Sequence, residues 1–443
     1  MRIVQALGWY LPDSLGGTEL YVAALGEELR QAGHEVYIAA PHVGQGERHY
    51  THDGVEVYRY PIPAAPTRAE ARGEVIAAGA QLFHQWLRKV EPDVVHFHTF
   101  VTGLGLNELE AARAAGAKVI VTSHAASLGF LCARGTLLHM GTTLCDGYVE
   151  AVKCAACALE HRHMPRPLAS IVSRLPRPLS ALAAKATGRA GTALGMRSLI
   201  ERNRTAQRRL FDSTSAFVVL SEFAASVLRA NGAPAHKVVV NRLGIDLTRG
   251  PWTPKPGPVE RATPSPVTFG FVGRAEPIKG LEDLVRAAVS VPPTVPMRVR
   301  IVAAASAPEE VALVERCRTI AAHDSRISFL DRLSPADVPA FLSEIDVLVA
   351  PSRAVEGGPT AALEAHAVGT PVIGTTMPAL TEYVQHDVNG ILVPPGDWDA
   401  LAAHMETIAR DPAGTVDRWR TALARPRTFG DIAREYLNLY RAA

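Results

Sequence analysis

Two carboxylates lie eight positions apart in the segment Glu356-Gly357-Gly358-Pro359-Thr360-Ala361-Ala362-Leu363-Glu364. Pro359 suits the first turn of a helix, so the pattern predicts Glu356 on the loop before that helix and Glu364 about one and a half turns inside it. The Gly-Gly loop offers free amides at the positive end of the helix, where anions and hydroxyls bind. Sugar hydroxyls are the partners we expect for the two carboxylates; the alternative is a pair of glutamates on a helix surface.

A basic pair follows a second apolar run. Gly273-Arg274 comes directly after Val272, and Lys279-Gly280 follows within the next turn of loop. A glycine lets a ligand approach the backbone, and an arginine and a lysine a few residues apart can clamp a diphosphate from two sides. Taken alone, such a pair is more often a solvated surface than a phosphate site.

Four of the five cysteines fall within one stretch, at Cys132, Cys145, Cys154 and Cys157. A Cys-X-X-Cys pair with two further thiols predicts a structural zinc site, and zinc would stabilise a stretch with few core residues. An iron–sulfur cluster uses the same number of ligands, and four unligated thiols is the third alternative. The spare ligands, if one cysteine lies outside the set, are His139, His161 and His163.

The elements that must position these residues are strands alternating with helices, which predicts parallel sheets covered on both faces. Apolar runs at residues 3–7, 92–97, 118–122, 216–220, 267–272, 299–302, 327–330, 347–350 and 371–374 are predicted strands, and residues 33–38 are predicted to end a helix and open a further strand. Ligands of such sheets bind beyond the carboxyl ends of the strands, which is where both motifs lie.

The chain is predicted to form two Rossmann-like domains joined by a proline-rich linker. Six prolines lie between residues 248 and 266, which separates a domain at 1–247 from one at 267–425. The first domain carries a cysteine-rich insertion at 128–162 and a basic segment at 161–210, and a helix is predicted at 426–443, where it could pack back on the first domain.

Composition excludes a disordered chain, because 47% of the 443 residues are hydrophobic and 20% are charged. The first residues lack the pattern of a signal peptide, and no uncharged apolar run is long enough to cross a membrane. Together with the odd number of cysteines, this predicts a reducing, cytoplasmic compartment.

The basic segment holds eleven Lys or Arg residues and one acidic residue, Glu201. Leucines and an isoleucine are interleaved with these cations, as in amphipathic helices that lie on anionic lipid, and this predicts peripheral attachment to the inner face of a membrane. A solvated basic face is the alternative. Nucleic acid is not an expected partner, since the segment lacks aromatic residues for stacking.

Residues 351–396 resemble the retaining family-four glycosyltransferases of the GT-B fold. The resemblance rests on the two motifs above and on further matches in order at Gly16-Gly17-Thr18-Glu19, Gly33-His34-Glu35-Val36, Gly244-Ile245-Asp246, Pro351-Ser352, Gly369-Thr370-Pro371, Asn389-Gly390 and Val393-Pro394-Pro395-Gly396-Asp397. It covers most of the chain and is faintest at 128–210. The four-cysteine insertion is similar to that of a bacterial subgroup of the family, which implies a structural role for it.

The resemblance implies an α/β fold of two doubly wound domains facing across a cleft, with a nucleotide-diphosphate sugar as the donor. Arg274 and Lys279 would bind the diphosphate, Glu356 the hydroxyls of the transferred sugar, and Glu364 the ribose. His124 would lie beside the transferred sugar. His96 and His98 flank Phe97 on one predicted strand and so share a face, and from this spacing they are expected in the core or the cleft wall. The other implied donor contacts are Gly16, Gly17, Gly273, Arg332, Leu333, Gly357, Gly358, Thr360 and Ala361.

The implied reaction retains the anomeric configuration and needs no metal or other cofactor, because the leaving phosphate itself helps to deprotonate the acceptor. A glycan, a lipid-linked saccharide or a small molecule would be the acceptor. One alternative function is a nucleotide-sugar epimerase or hydrolase of the same fold, and another is a non-catalytic scaffold that binds a sugar or a protein partner.

Overall fold

The computed structural model describes residues 1–124, 131–250, 252 and 265–442. The chain divides into two compact units, the first formed by Met1–Arg242 with Phe429–Ala443 and the second by Leu243–Thr428. Each unit contains one large, mostly parallel sheet with helices, so the predicted α/β class with two doubly wound sheets is confirmed.

The first unit is built on an eight-stranded sheet and a separate two-stranded hairpin. Its strands are β1 (Arg2–Ala6), β2 (Glu35–Val43), β3 (Arg48–His52), β4 (Val55–Ile62), β5 (Val94–Phe97), β6 (Lys118–Ser123), β7 (Leu138–His139), β8 (Thr143–Leu144), β9 (Ala216–Val219) and β10 (Val238–Val240). The order across the large sheet is β10-β9-β6-β5-β1-β2-β4-β3, with only β3 antiparallel to its neighbour. The chain order therefore reverses at β1, which has β2 on one side and β5 on the other.

Helices cover this sheet and form the insertion. They are α1 (Gly17–Gln31), α2 (Arg68–Ala71), α3 (Gln81–Val90), α4 (Leu106–Ala114), α5 (Ala151–His161), α6 (Arg166–Ser173), α7 (Arg177–Ala183), α8 (Gly188–Leu194), α9 (Met196–Ser213) and α10 (Glu222–Ala230). All four residues of β5 and of β9 are buried, as expected for strands covered on both faces.

The second unit contains a six-stranded, fully parallel sheet. Its strands are β11 (Val267–Arg274), β12 (Met297–Ala304), β13 (Ile327–Leu330), β14 (Val347–Ala350), β15 (Val372–Thr375) and β16 (Gly390–Val393). Its helices are α11 (Leu281–Ser290), α12 (Pro308–Ala321), α13 (Val338–Glu344), α14 (Thr360–Ala367), α15 (Trp398–Arg410) and α16 (Arg418–Thr421), with a π-helical turn at Ala413–Asp417. The strand order is β13-β12-β11-β14-β15-β16, so the chain order reverses between β11 and β14.

The C-terminal helix α17 (Phe429–Ala442) belongs to the first unit. Tyr436 and Tyr440 on this helix are fully buried, and the Tyr436 hydroxyl lies 3.1 Å from the hydroxyl of Tyr21 on α1. The predicted boundaries were residues 247 and 426, whereas the units divide at 242/243 and 428/429. The Ile245 amide donates to the Arg427 carbonyl at 2.8 Å, which places both connecting segments in the second unit.

Parts of three predicted regions lie outside the described residues. These are residues 128–130 of the cysteine-rich insertion, residues 251 and 253–264 of the predicted linker, and residue 443 of the helix predicted at 426–443. Among the helices that the structure describes, none is long and apolar enough to cross a bilayer.

Candidate active site

The point where strand order reverses in the second unit brings the two sequence motifs together. Gly273 and Arg274 end β11, and residues 351–359 follow β14, the neighbouring strand. In open α/β sheets the loops diverge at this point and leave a crevice in which ligands bind. Position in the topology therefore singles out these two loops without any reference to their sequences.

The loop after β11 is fixed against the loop after β14 by a close backbone approach. Gly280 has φ +73°, and a Cβ atom at this position would lie 2.0 Å from the Pro351 carbonyl oxygen. The Arg353 amide donates to the Ile278 carbonyl at 2.7 Å, and the Arg353 guanidinium binds the buried carboxylate of Asp283 through two hydrogen bonds. Only glycine fits at position 280, because it has no Cβ and adopts this conformation without strain.

Lys279 and Glu356 form the polar centre of the site. Lys279 Nζ lies 2.8 and 2.7 Å from the two carboxylate oxygens of Glu356, and Ser352 Oγ donates to Oε1 of the same carboxylate. Thr375 Oγ1 donates to the Ser352 carbonyl at 2.7 Å, which holds the loop from the β15 side. A lysine and a serine thus orient the Glu356 carboxylate before any ligand binds.

Arg274 is the exposed cation of the site, with 64% of its side chain accessible. It forms ion pairs with Glu276 at 2.9 Å and with Glu310 at 3.0 Å. The Glu310 carboxylate accepts hydrogen bonds from the backbone amides of Ser306 and Ala307, and these bonds, with the one from Arg274, lower its pKa to about 2. Glu310 is therefore charged throughout the physiological range and holds the guanidinium at the end of β11.

Helix α14 begins at Thr360, with Pro359 as the residue before it, one position later than the sequence predicted. The helix N-terminus follows Gly357 and Gly358, which are partly exposed, and Glu364 is partly buried on its second turn. The Gly-Gly segment can therefore present backbone amides and a helix dipole to an anion or a hydroxyl.

Arg332 and Leu333 lie elsewhere along the same edge of the second unit. They follow β13, the edge strand of the sheet, whereas the two motifs follow its central strands. Arg332 is exposed, and Leu333 packs partly against a buried cluster of the second unit.

Gly16 and Gly17 lie at the reversal point of the first unit. They follow the loop after β1 and begin α1. A Cβ atom on Gly16 would lie 2.7 Å from the Glu19 carboxylate, whereas one on Gly17 would meet no atom within 4 Å. The loop is tied to the chain after β5 by the Gly8 amide, which donates to Thr99 Oγ1 at 2.6 Å.

His124 belongs to a buried hydrogen-bond network in the first unit. His124 Nε2 lies 2.9 Å from His98 Nδ1, and His98 Nε2 lies 2.6 Å from Gln5 Oε1. His96 lies 2.7 Å from the Tyr440 hydroxyl and 2.6 Å from Thr122 Oγ1. Burial lowers the pKa of His124 to about 4, so its imidazole is neutral at pH 7. Burial also lowers the pKa values of His96 and His98 well below the usual histidine range.

A groove of about 740 Å³ lies within the first unit, and we call it the α9 groove. It lies between α9, the N-terminus of α4 and the loop around residues 70–77. Its lining mixes apolar and polar side chains: Phe100, Met196, Leu199, Asn107, Asn203 and Thr205. Arg202 and Glu74 form an ion pair at 3.0 Å on its wall. Such a mixed surface suits a ligand with both apolar and hydroxyl groups.

The four clustered cysteines line one cavity of about 30 Å³ in the insertion. All four are free thiols, and burial raises the pKa of Cys154 to about 11. Within residues 1–124, 131–250, 252 and 265–442, no group of three or more His, Cys, Asp or Glu side chains is arranged to hold a metal ion. The thiols thus share a cavity without forming a ligand shell.

Several residues that build the site were not predicted from the sequence. Ser352 was noted only as part of a match, although it donates to Glu356, and the Arg353–Asp283 and Arg274–Glu310 pairs were missed. Glu310 had a detectable pattern, since an acidic residue in the first turn of a helix after a strand commonly caps that helix.

Family comparison matches both halves of the chain. The family described as "Glycosyl transferase 4-like domain" matches residues 16–244, and the family described as "Glycosyl transferases group 1" matches residues 266–411. This chain is a group 1 glycosyltransferase. The match spans the end of β11, the loop after β14 and α14, which are the elements that position the candidate site.

Two curated relatives match different shares of this group 1 glycosyltransferase. The putative colanic acid biosynthesis glycosyltransferase WcaL of Escherichia coli is 29% identical over 229 residues, which is 50% of this chain and 54% of that relative. The match therefore spans about half the length of that relative. The D-inositol 3-phosphate glycosyltransferase of Pseudarthrobacter chlorophenolicus is 24% identical over 436 residues, which is 94% of this chain and 87% of the relative.

Solved structures of glycosyltransferases share the fold along the whole chain. The sucrose-phosphate synthase of Thermosynechococcus elongatus has a TM-score of 0.66 at 18% identity, covering 100% of this chain and 99% of its own. Anabaena HepE, solved in complex with UDP, has a TM-score of 0.63 at 15% identity, covering 100% of both chains. The group 1 glycosyltransferase therefore has the GT-B fold that the sequence predicted.

Proposed function

We propose that this enzyme transfers a sugar from a nucleotide-diphosphate donor to a glycan, lipid-linked or small-molecule acceptor, with retention of configuration and without a metal ion. The observation that carries the proposal is the pairing of Lys279 with Glu356 between the loops after β11 and β14, where strand order reverses in the second unit and where Arg274 ends β11. A cationic clamp for a diphosphate and a carboxylate for sugar hydroxyls are there held by the same two loops.

The proposed chemistry breaks the bond between the anomeric carbon and the donor phosphate oxygen, and its electron pair stays on the diphosphate. Arg274 and Lys279 stabilise the charge that develops there, as preorganised cations do. The acceptor oxygen forms the new bond on the same face of the sugar, and its proton goes to the departing diphosphate. Glu356 accepts hydrogen bonds from the transferred sugar, and Glu364 accepts them from the ribose.

Further residues take the roles that the family resemblance implies. The amides of Gly357, Gly358, Thr360 and Ala361 would bind the donor, as would Gly273, Gly16 and Gly17, and the backbone at Arg332 and Leu333 would meet the base. His124 would contact the transferred sugar as a neutral donor or acceptor of a hydrogen bond, since its pKa is about 4.

The names of the relatives support a role in polysaccharide assembly and a uridine nucleotide as the first donor to test. HepE is described in complex with UDP and with UDP-glucose, and WcaL with the synthesis of colanic acid. An epimerase or hydrolase of the same fold remains the second candidate, distinguished by whether the sugar reaches an acceptor or water.

The test begins with a panel of nucleotide sugars, because a ligand that binds only the folded state raises the melting temperature. With the donor found, Arg274→Ala should lower kcat roughly 10²–10³-fold, the usual effect of removing one preorganised contact to developing charge. Arg298→Ala is the matched control, since Arg298 is an exposed arginine on β12 of the same sheet. Unchanged turnover in Arg274→Ala, or an effect equal to that of the control, contradicts the proposal.

We also propose a structural zinc ion in the insertion, held by Cys132, Cys145, Cys154 and Cys157. Their spacing and their common cavity support this proposal, although the thiols must move closer to reach a tetrahedral arrangement. The iron–sulfur cluster and the four free thiols are the alternatives that metal analysis separates.

A further inference from the structure

Three short helices in the first unit expose their large apolar side chains and bury their small ones. The buried residues of α6, α7 and α8 are Ala169, Ser173, Ser180 and Gly191. The exposed large apolar residues on the same helices are Leu168, Ile171, Leu179, Leu182 and Leu194, with Ile171 and Leu182 about two thirds accessible at 68% and 66%. We call this surface the α6–α8 face.

This arrangement inverts the usual rule for a helix on a protein surface, where the apolar stripe packs inward. Isolated exposed leucines are common, but five large aliphatic residues exposed on three consecutive helices, of which α8 contacts both α6 and α7, are typical of an interaction surface. Exposed aliphatic side chains gain the free energy of burial only where a partner covers them.

Along the chain from residue 161 to residue 210 the charges are almost all positive, and the preceding Glu160 is paired with Arg134 and Arg166. Arg174, Lys185 and Arg189 are exposed on or beside these helices. Over residues 161–210 the sequence holds eleven cations and one carboxylate, Glu201, which already forms ion pairs with Arg177 at 2.9 Å and Arg197 at 3.5 Å. Exposed aliphatic groups ringed by cations match a surface that is apolar inside and anionic at its boundary, which describes a bilayer of acidic lipids.

The composition of residues 161–210 disfavours nucleic acid or another protein as the partner. Residues 161–210 contain no Phe, Tyr or Trp, which are the side chains that stack on nucleic-acid bases and that are enriched at protein interfaces. Leucine and isoleucine beside Lys and Arg are the residues of an interfacial helix.

We propose that the α6–α8 face docks on the surface of an anionic lipid bilayer, with Ile171 and Leu182 inserted at the headgroup boundary. The docking itself does not depend on the proposed function. Cations on the same helices hold the face against acidic headgroups, and the small buried residues let α6, α7 and α8 lie flat on the first unit.

The α9 groove adjoins the α6–α8 face, and this identifies the class of acceptor. Thr192 on α8 lines the groove, and its hydroxyl accepts a hydrogen bond from Arg68 at 2.6 Å, while Arg68 also binds the Ala186 carbonyl at 2.7 Å. One wall of the groove is therefore anchored to the docking helices. Resting on the proposed function, we assign the groove to the saccharide of a lipid-linked acceptor that remains in the bilayer during transfer.

Vesicle co-sedimentation of the full chain tests the docking. Binding should occur on phosphatidylglycerol mixed with phosphatidylcholine, be absent on phosphatidylcholine alone, and fall as salt is raised, since screening weakens surface charge. The triple variant Arg174→Gln, Lys185→Gln, Arg189→Gln should bind roughly 100-fold more weakly, because each cation near an anionic surface contributes about fivefold. The double variant Ile171→Ser, Leu182→Ser should bind roughly tenfold more weakly or worse.

Matched controls change the same chemistry elsewhere. Arg88→Gln, Lys89→Gln, Arg298→Gln lowers the net charge by the same amount, and Val311→Ser, Val388→Ser removes two exposed aliphatic side chains of the second unit. Both controls should sediment like the wild type. Circular dichroism and donor hydrolysis should be unchanged in all four variants, which separates lost docking from lost folding or lost donor chemistry.

Three outcomes overturn the docking: no wild-type binding to anionic vesicles at low salt, equal losses in test and control variants, or tighter retention by a single-stranded oligonucleotide than by vesicles. The acceptor assignment fails separately if the wild type docks but transfers sugar equally well to a short water-soluble saccharide and to a lipid-linked one. None of these results bears on Arg274, so the proposed function is judged by its own experiment.

Discussion

The Glu356 carboxylate bonds to Lys279 and to Ser352, so a sugar that binds it must share or replace those contacts. The Lys279 ammonium can then turn part of its hydrogen bonding toward a diphosphate without moving its backbone. The ion pair between Lys279 and Glu356 thus joins the two loops and also supplies positive charge for the leaving group. Glu364 lies instead on the second turn of α14.

The two glutamates should respond differently to the loss of one charge. Glu356→Gln should lower kcat roughly tenfold to 100-fold with nucleotide affinity kept, because a weaker acceptor orients the sugar less well. Glu364→Gln should instead weaken nucleotide binding by about tenfold, the value of one hydrogen bond to a charged group. Calorimetry with the free nucleotide and steady-state kinetics separate these outcomes, and the opposite pattern would mean that the two roles are exchanged.

The two motifs, together with the family resemblance, were enough to select Arg274, Lys279, Glu356 and Glu364 as candidates. Their partners could not be predicted, because Glu310 and Asp283 are distant in sequence from the arginines that they bind. His96 and His98 were expected to share one face of a strand, and their rings do lie 4.0 Å apart. Their bonds to Gln5, Thr122 and Tyr440 depend on three other segments, which no local pattern specifies.

At the scale of elements, the contact between Gly280 and Pro351 joins the two loops of the site. Gly280→Ala should destabilise the second unit by more than about 1 kcal/mol. Alanine disfavours a positive φ, and its Cβ would in addition collide with a backbone oxygen. Donor affinity should fall as well, since the two loops must separate.

The control for this substitution is Gly46→Ala. Gly46 has φ +74°, close to that of Gly280, but a Cβ there would meet no atom within 4 Å. This variant therefore tests the backbone strain alone and should cost about 1 kcal/mol with donor binding intact. Thermal denaturation and nucleotide calorimetry measure both effects, and equal losses in the two variants would show that the contact with Pro351 is unimportant.

The cysteine-rich insertion makes an elemental prediction. Purified protein should contain close to one equivalent of zinc, which a chelator or acid removes with loss of stability, because thiolates must be deprotonated to bind the metal. Cys317→Ser, which changes the buried cysteine outside the cluster, should keep its zinc, whereas Cys154→Ser should lose it. Protein without metal supports free thiols, and visible charge-transfer absorption supports a cluster; either result removes the zinc proposal.

Elements with long apolar runs were predicted well from the sequence, and the exceptions have physical causes. All nine apolar runs became strands, because buried parallel strands read as continuous apolar segments. Strands β3, β4, β10 and β16 were not predicted. The edge strand β3, which pairs antiparallel with β4, has the sequence Arg-His-Tyr-Thr-His and carries no such run. The hairpin β7–β8 is two residues long on each side and leaves no periodic pattern at all.

At the scale of the whole molecule, the buried histidines make the stability of the first unit depend on pH. In the unfolded chain a histidine has a pKa near 6.5, whereas burial holds the pKa values of His96 and His98 well below that and the pKa of His124 at about 4. Below pH 6.5 the unfolded chain binds protons that the folded unit does not. The stabilisation is therefore complete above pH 6.5 and is lost progressively as the pH falls.

Hydrogen exchange followed by mass spectrometry can measure this for each unit separately. After correction for the intrinsic exchange rate, the opening free energy of β5 and β6 should fall between pH 7 and pH 5, because burial keeps His96 and His98 from taking up the protons that they bind in the unfolded chain. His96→Gln should flatten this dependence, even if it lowers stability at pH 7, and His404→Gln in the second unit should leave it unchanged. An equal slope in wild type and His96→Gln would contradict the assignment.

The return of α17 to the first unit has a consequence for how the protein is made. Tyr436 and Tyr440 are translated after the whole second unit, yet they bind Thr122 and His96 on strands that are translated long before it. While the second unit is translated, the nascent first unit therefore lacks the tyrosine partners of these buried polar groups. A chain truncated before α17 would contain a complete second unit and an incompletely folded first unit, which is the form that chaperones and proteases recognise.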